Sequence, residues 1–308
     1  MILVTGGLGF LGCHVARALV DAGARCVVTR HHASEVPAFL RGDVEVIACD
    51  VTERASVVAI GDRYPITGVI HLAAGWPSNP FDEVRDSGLA LANVGAAAAE
   101  WRVKRLCVAS TIGVYGGVVA PQVEEGVALA HTGNRHPIPA LKKAAEIFAE
   151  QVDARGGLEC VVLRIAGLYG PRYRGLRTFV SRAVHAAAHG TSLDVTGVAF
   201  GSGPDDSADW CYVKDCARGI ALLQLAPALR HRTYNVGAGV STRNRDVIAA
   251  LRRIVPGARL DEPAGTPAPA ILAFDLGRIR ADTGYEPRYT LDTGLGEYVD
   301  WLRAGNAY

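Results

Sequence analysis

Short apolar runs alternate with longer amphipathic segments over the first half of the chain. The runs are rich in β-branched residues, which is typical of buried strands, and the segments between them repeat apolar residues at helical spacing. Six buried strands are predicted on this basis: Ile2–Thr5, Arg25–Thr29, Val44–Ala48, Val69–Leu72, Leu106–Ala109 and Cys160–Arg164. Because strands and helices alternate, the pattern predicts a parallel sheet with helices on both faces.

The first predicted helix follows the first strand after a short turn and ends near Gly23, a typical C-terminal cap. Its inward face consists of apolar residues at helical spacing: Leu11, Val15, Ala18, Leu19 and Ala22. Two longer helices are predicted over Phe81–Trp101 and Ile138–Arg155, and both carry many alanines. Because faces of small residues pack closely, these helices are the predicted interface of a homodimer.

The regular alternation stops after Arg164. The remainder mixes loops and short strands with helices predicted over Leu176–His189, Lys214–Leu225 and Arg243–Ile254. The Pro- and Gly-rich stretch Glu262–Pro269 is interpreted as a loop, because an apolar helical pattern resumes after it. This half of the chain is therefore predicted to form a smaller lobe.

Composition and charge narrow the class of protein. The chain has 308 residues, 49% of them hydrophobic, and a formal net charge of +1 from 32 basic and 31 acidic residues. Since the charges form no basic stripe, neither nucleic acid nor an anionic membrane is an expected partner. The apolar runs are shorter than the ~20 residues of a membrane span, and Met1 leads directly into a strand with no room for a secretory signal. We expect a soluble, cytoplasmic protein that binds a small molecule.

The seven cysteines include no Cys-x-x-Cys pair. They are expected to be reduced core residues, so no metal site is predicted.

A glycine-rich turn joins the first strand to the first helix. Gly6, Gly9 and Gly12 fit the pattern G-x-x-G-x-x-G, in which the glycines allow a tight turn, close approach to a pyrophosphate and packing of the helix on the sheet. The N–H groups at the start of the helix, at Phe10 and Leu11, are expected to face the phosphates. We therefore predict a Rossmann-type, doubly wound α/β fold: residues 1–166 form the dinucleotide-binding domain, and residues 167–308 form a smaller mixed α/β substrate lobe with segments that return to the first domain.

The ends of the second and third strands bear on the choice of cofactor. Arg30 lies where an NAD enzyme is expected to carry an acidic residue, which favours NADP over NAD. The alternative is that Arg30 is an exposed surface charge. Asp50, followed by Val51, offers a carboxylate to the adenine amino group, and the alternative is that Asp50 caps the next helix.

With later motifs, these residues make the chain resemble extended short-chain dehydrogenases/reductases of the NAD(P)-dependent epimerase/dehydratase family over nearly its full length. The further motifs are His71-Leu72-Ala73-Ala74, Asn93-Val94, Ser110–Gly116, Leu163-Arg164, Leu168–Pro171, Tyr212–Asp215 and Tyr234–Gly237. The resemblance implies hydride transfer between a substrate carbon and the nicotinamide, and it assigns Leu72, Ala73, Ala74 and Asn93 to the cofactor site.

The resemblance also implies a Tyr-x-x-x-Lys pair on one helix face and a hydroxyl from the fifth strand, which Thr111 matches. In Tyr-x-x-x-Lys the ammonium lowers the pKa of the phenol and holds the nicotinamide ribose. Lys142 matches the family lysine because Glu146 follows it by four residues, and Lys143 is the rival register. Ile138 stands in place of the catalytic tyrosine; in the rival register a proline would.

The missing tyrosine leaves three explanations open. A substitute acid or base reaches the substrate from elsewhere, with His136, Tyr173 and Tyr212 as candidates. Alternatively, the substrate or water supplies the proton, or the protein binds the dinucleotide without turnover.

Two further departures concern the substrate. Ile112-Gly113 stands where the resemblance implies the Asp-Glu pair of sugar-nucleotide 4,6-dehydratases, which argues against that reaction. Ala208 stands where many sugar-nucleotide enzymes carry an arginine, and the nearby carboxylates of Asp205, Asp206 and Asp209 are expected to repel a diphosphate. The side chains that could compensate are Arg172, Arg174 and Arg177.

The sequence thus favours an NAD(P)-dependent oxidoreductase or epimerase-type enzyme acting on a sugar-like or polyhydroxylated small molecule. One alternative is a Rossmann enzyme of another class, a lyase or isomerase that uses the cofactor structurally or transiently. The other is a non-catalytic dinucleotide-binding protein.

Overall fold

A parallel sheet lies at the centre of the computed structural model, which describes residues 1–31, 35–74, 79–131, 137–198, 201–264 and 273–308. The strands are, in chain order, β1 Ile2–Thr5, β2 Cys26–Arg30, β3 Glu45–Ala48, β4 Gly68–His71, β5 Arg105–Thr111, β6 Gln122–Val123, β7 Glu159–Ile165, β8 Gly167–Tyr169, β9 Ser207–Tyr212, β10 Thr233–Val236, β11 Ser241–Arg243 and β12 Ala273–Phe274. In the described part of the chain the main sheet has seven strands, in the order β10-β7-β5-β4-β1-β2-β3. Every pairing in it is parallel, which confirms the predicted sheet.

The described helices lie on both faces of this sheet and in the second lobe. They are α1 Phe10–Asp21, α2 Arg54–Arg63, α3 Pro80–Glu100, α4 Pro137–Ala154, α5 Phe179–His189, α6 Val213–Leu225, α7 Asn244–Ile254, α8 Gly277–Thr283 and α9 Leu291–Arg303. Helices α1 and α6 pack together on one face, and α2, α3 and α4 cover the other. The sequence pattern did not predict α2, whose apolar face is short.

Strand β10 comes from the second half of the chain but extends the main sheet beside β7. The second lobe has its own apolar core, in which α5, α7 and α9 pack around β9. A second sheet in the described part of the chain has three strands, in the order β11-β9-β8.

Arg105 explains how α6 is fixed against the sheet. Its side chain is fully buried, and its Nη1 atom donates to the C-terminal carbonyls of α6, including that of Ala226 at 3.0 Å. Its Nε atom binds Glu159 at 2.8 Å, so the buried charge is compensated.

All seven cysteines are buried and unpaired, as expected of reduced core residues. None of the helices in the described ranges has the length and apolar character needed to cross a membrane.

Candidate functional site at the carboxyl edge of the sheet

The glycine-rich turn is closed so tightly that side chains are excluded from it. Gly6 has a φ of 66°, in the left-handed region, and a Cβ there would lie 2.9 Å from the Ala73 Cα. A Cβ at Gly12 would collide with the Gly6 carbonyl oxygen. Gly9 is exposed and precedes the first residue of α1. The turn therefore presents bare backbone N–H groups and a helix N-terminus, which fits a pyrophosphate.

Residues predicted to surround this turn lie around it. Phe10 and Leu11 form the first turn of α1 and are half-buried. Leu72 and Ala73 are half-buried and Ala74 is exposed in the segment that follows β4. The Gly6 N–H donates to the Thr29 hydroxyl at 2.9 Å, which ties the turn to β2.

A histidine and a threonine connect β1 with β4 beside the turn. The Thr5 hydroxyl accepts the Ala73 N–H at 3.3 Å and lies 2.8 Å from Nδ1 of His71. Burial lowers the pKa of His71 to about 3, and the charge of Lys142 acts in the same direction. His71 is therefore neutral at pH 7.

The structure brings Lys142, and not Lys143, to this edge of the sheet. Lys142 lies near enough to His71 to act on its pKa, and burial lowers the pKa of Lys142 itself. Lys143 instead donates to the carbonyl oxygen of Ala130. Ile138 lies four residues before Lys142 on α4 and is half-buried, so an aliphatic side chain stands one helical turn away from the ammonium.

Thr111 ends β5, half-buried, and its hydroxyl accepts the Gly113 N–H at 3.2 Å. The start of α4 packs on this turn, because a Cβ at Gly113 would lie 2.9 Å from Cγ of Pro139. A larger residue at position 113 would have to displace Pro139.

A buried polar network holds α4 against β5 and β7. Glu146 accepts hydrogen bonds from the Ser110 hydroxyl and from Nη2 of Arg164, the latter at 2.7 Å. Arg164 also donates to the Tyr115 hydroxyl at 3.0 Å, and Tyr115 donates to Oδ1 of Asn235 at 2.7 Å. Burial raises the pKa of Tyr115 to about 12. Tyr115 is committed to this network and does not replace the missing tyrosine.

At the end of β3, Asp50 closes its own turn. Its Oδ1 atom accepts the backbone N–H of Thr52 at 2.9 Å and the Thr52 hydroxyl at 2.7 Å, and His31 approaches Oδ2 at 3.5 Å. These contacts hold the turn ahead of α2, whose N-cap residue is Glu53, not Asp50. Arg30 is exposed at the end of β2.

The side chain of Asn93, on α3, holds the loop that follows β3. The nearly buried amide donates to the carbonyl oxygens of Val51 at 3.1 Å and of Thr52 at 2.8 Å. Its role in this structure is to fix the loop after β3.

The candidate replacement acids are placed differently from one another. Tyr212 is only 2% exposed and its ring packs at a tilt against Tyr289, with ring centroids 4.4 Å apart, so substrate cannot reach its hydroxyl in this structure. The ring of Tyr173 packs edge-on against Phe10 at 4.9 Å, and burial raises the pKa of Tyr173. His136 lies outside the described residues.

The carboxylates around Ala208 do not form the open acidic cluster that the sequence suggested. Asp205 binds Arg245 at 2.8 Å, and Asp206 accepts a backbone N–H at 2.7 Å. Asp209 is fully buried and accepts three backbone hydrogen bonds, although burial raises its pKa to about 6. Internal partners therefore occupy all three groups, and the expected repulsion of a diphosphate stays a prediction.

Sequence reasoning missed the roles of Thr5, His71 and Ser110. The signal that would have found them is position: each stands at or next to the carboxyl end of a predicted strand, where the ligands of open parallel sheets bind.

The turn from Gly6 to Gly12, called the phosphate cradle below, lies at the same edge of the sheet as Lys142 and Thr111. This fold and this edge define a dinucleotide-binding protein of the Rossmann class. The model of the NAD dependent epimerase/dehydratase family matches residues 2–237. The chain belongs to this family of enzymes.

Relatives in the family act on sugar nucleotides. The dTDP-glucose 4,6-dehydratase of Actinoplanes sp. is 28% identical, and the match covers 100% of this chain and 99% of that protein. The solved UDP-glucose 4-epimerase of Thermotoga maritima, with UDP-glucose, is 24% identical with a TM-score of 0.85, covering 99% of both chains. The UDP-glucose 4-epimerase of Thermus thermophilus in complex with NAD is 25% identical with a TM-score of 0.78, covering 98% of both chains.

Proposed function

We propose that this protein is an NAD(P)-dependent oxidoreductase or epimerase that acts on a hydroxyl-bearing carbon of a nucleotide-linked sugar. The observation that carries the proposal is the position of Lys142, half-buried and close enough to His71 to act on its pKa, at the edge that also holds the glycine-rich turn. None of the ion pairs among the described residues involves Lys142, and a lysine that binds a ribose hydroxyl needs no carboxylate partner.

A nicotinamide dinucleotide would accept and return a hydride at this site. The turn from Gly6 to Gly12 would hold its phosphates, and Lys142 its ribose. Thr111 would bind the reacting hydroxyl of the substrate. Since Ile138 has no proton to exchange, the proton passes to water, to a group of the substrate or to another side chain, for which Tyr173 is a candidate.

We further propose that NADP is preferred over NAD, with Arg30 as the determinant. The exposed guanidinium at the end of β2 supports this choice, since it can reach a 2′-phosphate. Calorimetric titration of the wild type with each dinucleotide tests it, and Arg30→Asp should move the preference towards NAD. Tighter binding of NAD by the wild type would remove Arg30 from the site.

Epimerisation or simple oxidation fits the site better than 4,6-dehydration. Gly113 stands where the resemblance implies an acidic residue in the dehydratases, and Pro139 fills the space that its side chain would need. Relatives that bind UDP-glucose and dTDP-glucose suggest a hexose linked to a nucleoside diphosphate as the substrate.

The decisive experiment follows nicotinamide absorbance while the protein is mixed with NAD or NADP and a panel of nucleotide sugars. Stoichiometric reduction without net turnover supports an epimerase, and continuous reduction supports a dehydrogenase. A bound dinucleotide that no sugar changes supports the second candidate, a non-catalytic binding protein, which the aliphatic Ile138 favours.

We also propose a homodimer formed through α3 and α4, in a reducing cytoplasmic compartment. Large apolar side chains on these helices face solvent: Phe81 is 84% exposed, Ile147 60% and Phe148 44%. A second copy of the same surface would cover them. Light scattering after size exclusion should give a dimer for the wild type and a monomer for Phe148→Glu, with the exposed Val119→Glu as a control that stays dimeric.

A further inference from the structure

Arg172 is a buried cation in the loop that follows β8. The residue is 9% exposed, and its Nε atom is buried without a hydrogen-bond partner. Among the residues that the structure describes, no carboxylate forms an ion pair with this guanidinium. A buried charge without compensation destabilises a protein, so the position calls for an anion from outside the chain.

The backbone of Arg172 is also held in an unfavourable conformation. Its φ is 72°, in the left-handed region that residues with a Cβ rarely adopt. His14 on α1 holds the loop that contains Arg172, because Nε2 of His14 donates to the Pro171 carbonyl oxygen at 3.0 Å. The ring of His14 is itself stacked on Phe39. Strain of this kind is retained where the surrounding fold serves a ligand site.

The surroundings of Arg172 carry little negative charge of their own. Its guanidinium acts on the thiol of Cys13, in the first turn of α1, although burial dominates and raises the pKa of Cys13 to about 11. The pKa of His14 is lowered to about 4, mainly by burial, and the charges of Lys214 and Arg172 act in the same direction. Glu297 acts in the opposite direction on His14, but it is already paired with Lys214.

A second arginine lies next to the first. The ring of Tyr308 lies 4.5 Å from Cζ of Arg174 and 5.9 Å from Cζ of Arg172, so both guanidinium groups share one aromatic ring. Tyr173, between them in the chain, packs on Phe10 at the start of α1. The two cations therefore lie beside the helix N-terminus that ends the phosphate cradle, and planar guanidinium groups match phosphate oxygens bidentately.

We propose that Arg172, assisted by Arg174, binds a diphosphate group next to the first turn of α1. The proposal rests on the proposed function, and it supplies the diphosphate contact that Ala208 cannot make. Either the dinucleotide or the nucleotide sugar can provide this diphosphate, and the two sources are separated by titration.

The first test uses inorganic pyrophosphate and thermal unfolding of the whole protein. Pyrophosphate should raise the Tm of the wild type and of the control Arg155→Gln, which changes an exposed arginine after α4, by clearly more than the Tm of Arg172→Asn, in which the glycine-rich turn alone can bind it. Without ligand, Arg172→Asn should unfold at the wild-type temperature or above it, because asparagine tolerates a left-handed φ and carries no unpaired charge. An equal pyrophosphate shift in Arg172→Asn, or no shift in the wild type, overturns the proposal.

The second test identifies the source by calorimetry with NAD, NADP and UDP-glucose. Arg172→Asn should bind one of the two ligand classes about 10- to 100-fold more weakly, the effect expected when a charged hydrogen-bond pair is lost. Arg172→Lys should lose part of this affinity, since lysine keeps the positive charge but lacks the planar guanidinium group that donates two parallel hydrogen bonds to phosphate. Unchanged affinity for both classes contradicts the proposal. A wild type that responds to pyrophosphate but binds no nucleotide sugar refutes the proposed substrate and leaves the anion site standing.

Discussion

Replacing Ile138 with tyrosine tests whether the rest of the site is built for proton transfer. Residues four apart on a helix have Cβ atoms about 5–6 Å apart, so the introduced phenol would lie beside the ammonium of Lys142. Two opposite charges about 5 Å apart attract by about 3 kcal/mol at an effective dielectric constant of about 20. That attraction favours the phenolate and lowers the pKa of the new phenol by roughly two units.

The pKa of one introduced phenol can be measured without knowing the substrate. Ultraviolet absorbance of tyrosinate is recorded against pH for Ile138→Tyr and for Ile138→Phe, which adds the same ring without the hydroxyl, and the difference isolates the new group. Adding Lys142→Met to Ile138→Tyr should return the pKa towards the ordinary tyrosine value. If the introduced phenol has the ordinary tyrosine pKa, or if its pKa is unchanged by Lys142→Met, then Lys142 does not face position 138 as we argue.

Activity provides the second readout of the same change. A positioned general acid contributes about 10²- to 10⁴-fold to the rate, so Ile138→Tyr should speed the change in nicotinamide absorbance with an accepted nucleotide sugar by such a factor. Ile138→Phe should give no gain. A low phenol pKa with no gain in rate would mean that the natural reaction takes its proton along another path.

Three further predictions concern the cradle, the sheet and the buried histidine. Gly12→Ala places a Cβ against the Gly6 carbonyl oxygen and should weaken dinucleotide binding in calorimetry at least about tenfold, whereas Gly88→Ala on α3, which has open space, should leave binding unchanged. Arg105→Ala leaves Glu159 and the carbonyl groups at the end of α6 without their partner, so it should lower the free energy of unfolding in urea by about 3–5 kcal/mol. Replacing the exposed Lys104 with alanine should lower the free energy of unfolding by less than about 1 kcal/mol. Because the pKa of His71 is lowered to about 3, the unfolded chain binds more protons below about pH 6.5, and stability should fall by about 1.4 kcal/mol per pH unit as the pH drops towards 3; a slope that persists in His71→Asn would assign it to other groups.

The first domain could be predicted closely because its signals are local. Each predicted strand overlaps a strand of the main sheet, since a parallel strand buried on both faces reads as an apolar run. Strand β10 could not be placed in advance, because its pairing with β7 depends on a crossover from the second lobe. Its short run Thr233–Val236 looks the same whether it lies at the edge of a large sheet or in a loop.

The site could be predicted only where a residue type is required by backbone geometry or stands at a fixed helical spacing. The glycines of the turn and the spacing of Ile138, Lys142 and Glu146 belong to this kind. The spacing to Glu146 favoured Lys142 over Lys143, and in the structure the same Glu146 fixes the rotation of α4 through Ser110 and Arg164. The contacts of Glu146 with β5 and β7 join distant segments, and no local pattern contains them.

Position 208 shows why the departure from the family pattern is more than a missing charge. Ala208 is 2% exposed and belongs to the core of the second lobe, so the space that an arginine would need is already filled. Restoring the arginine would therefore open the core before it could bind a phosphate. If the substrate carries a diphosphate, we expect its charge to be met from the loop after β8, where the Nε atom of the buried Arg172 has no hydrogen-bond partner. Ala208→Arg should accordingly lower the Tm without improving affinity for UDP-glucose, and a stable variant with tighter binding would show that the usual diphosphate site is intact and that Arg172 is not needed for it.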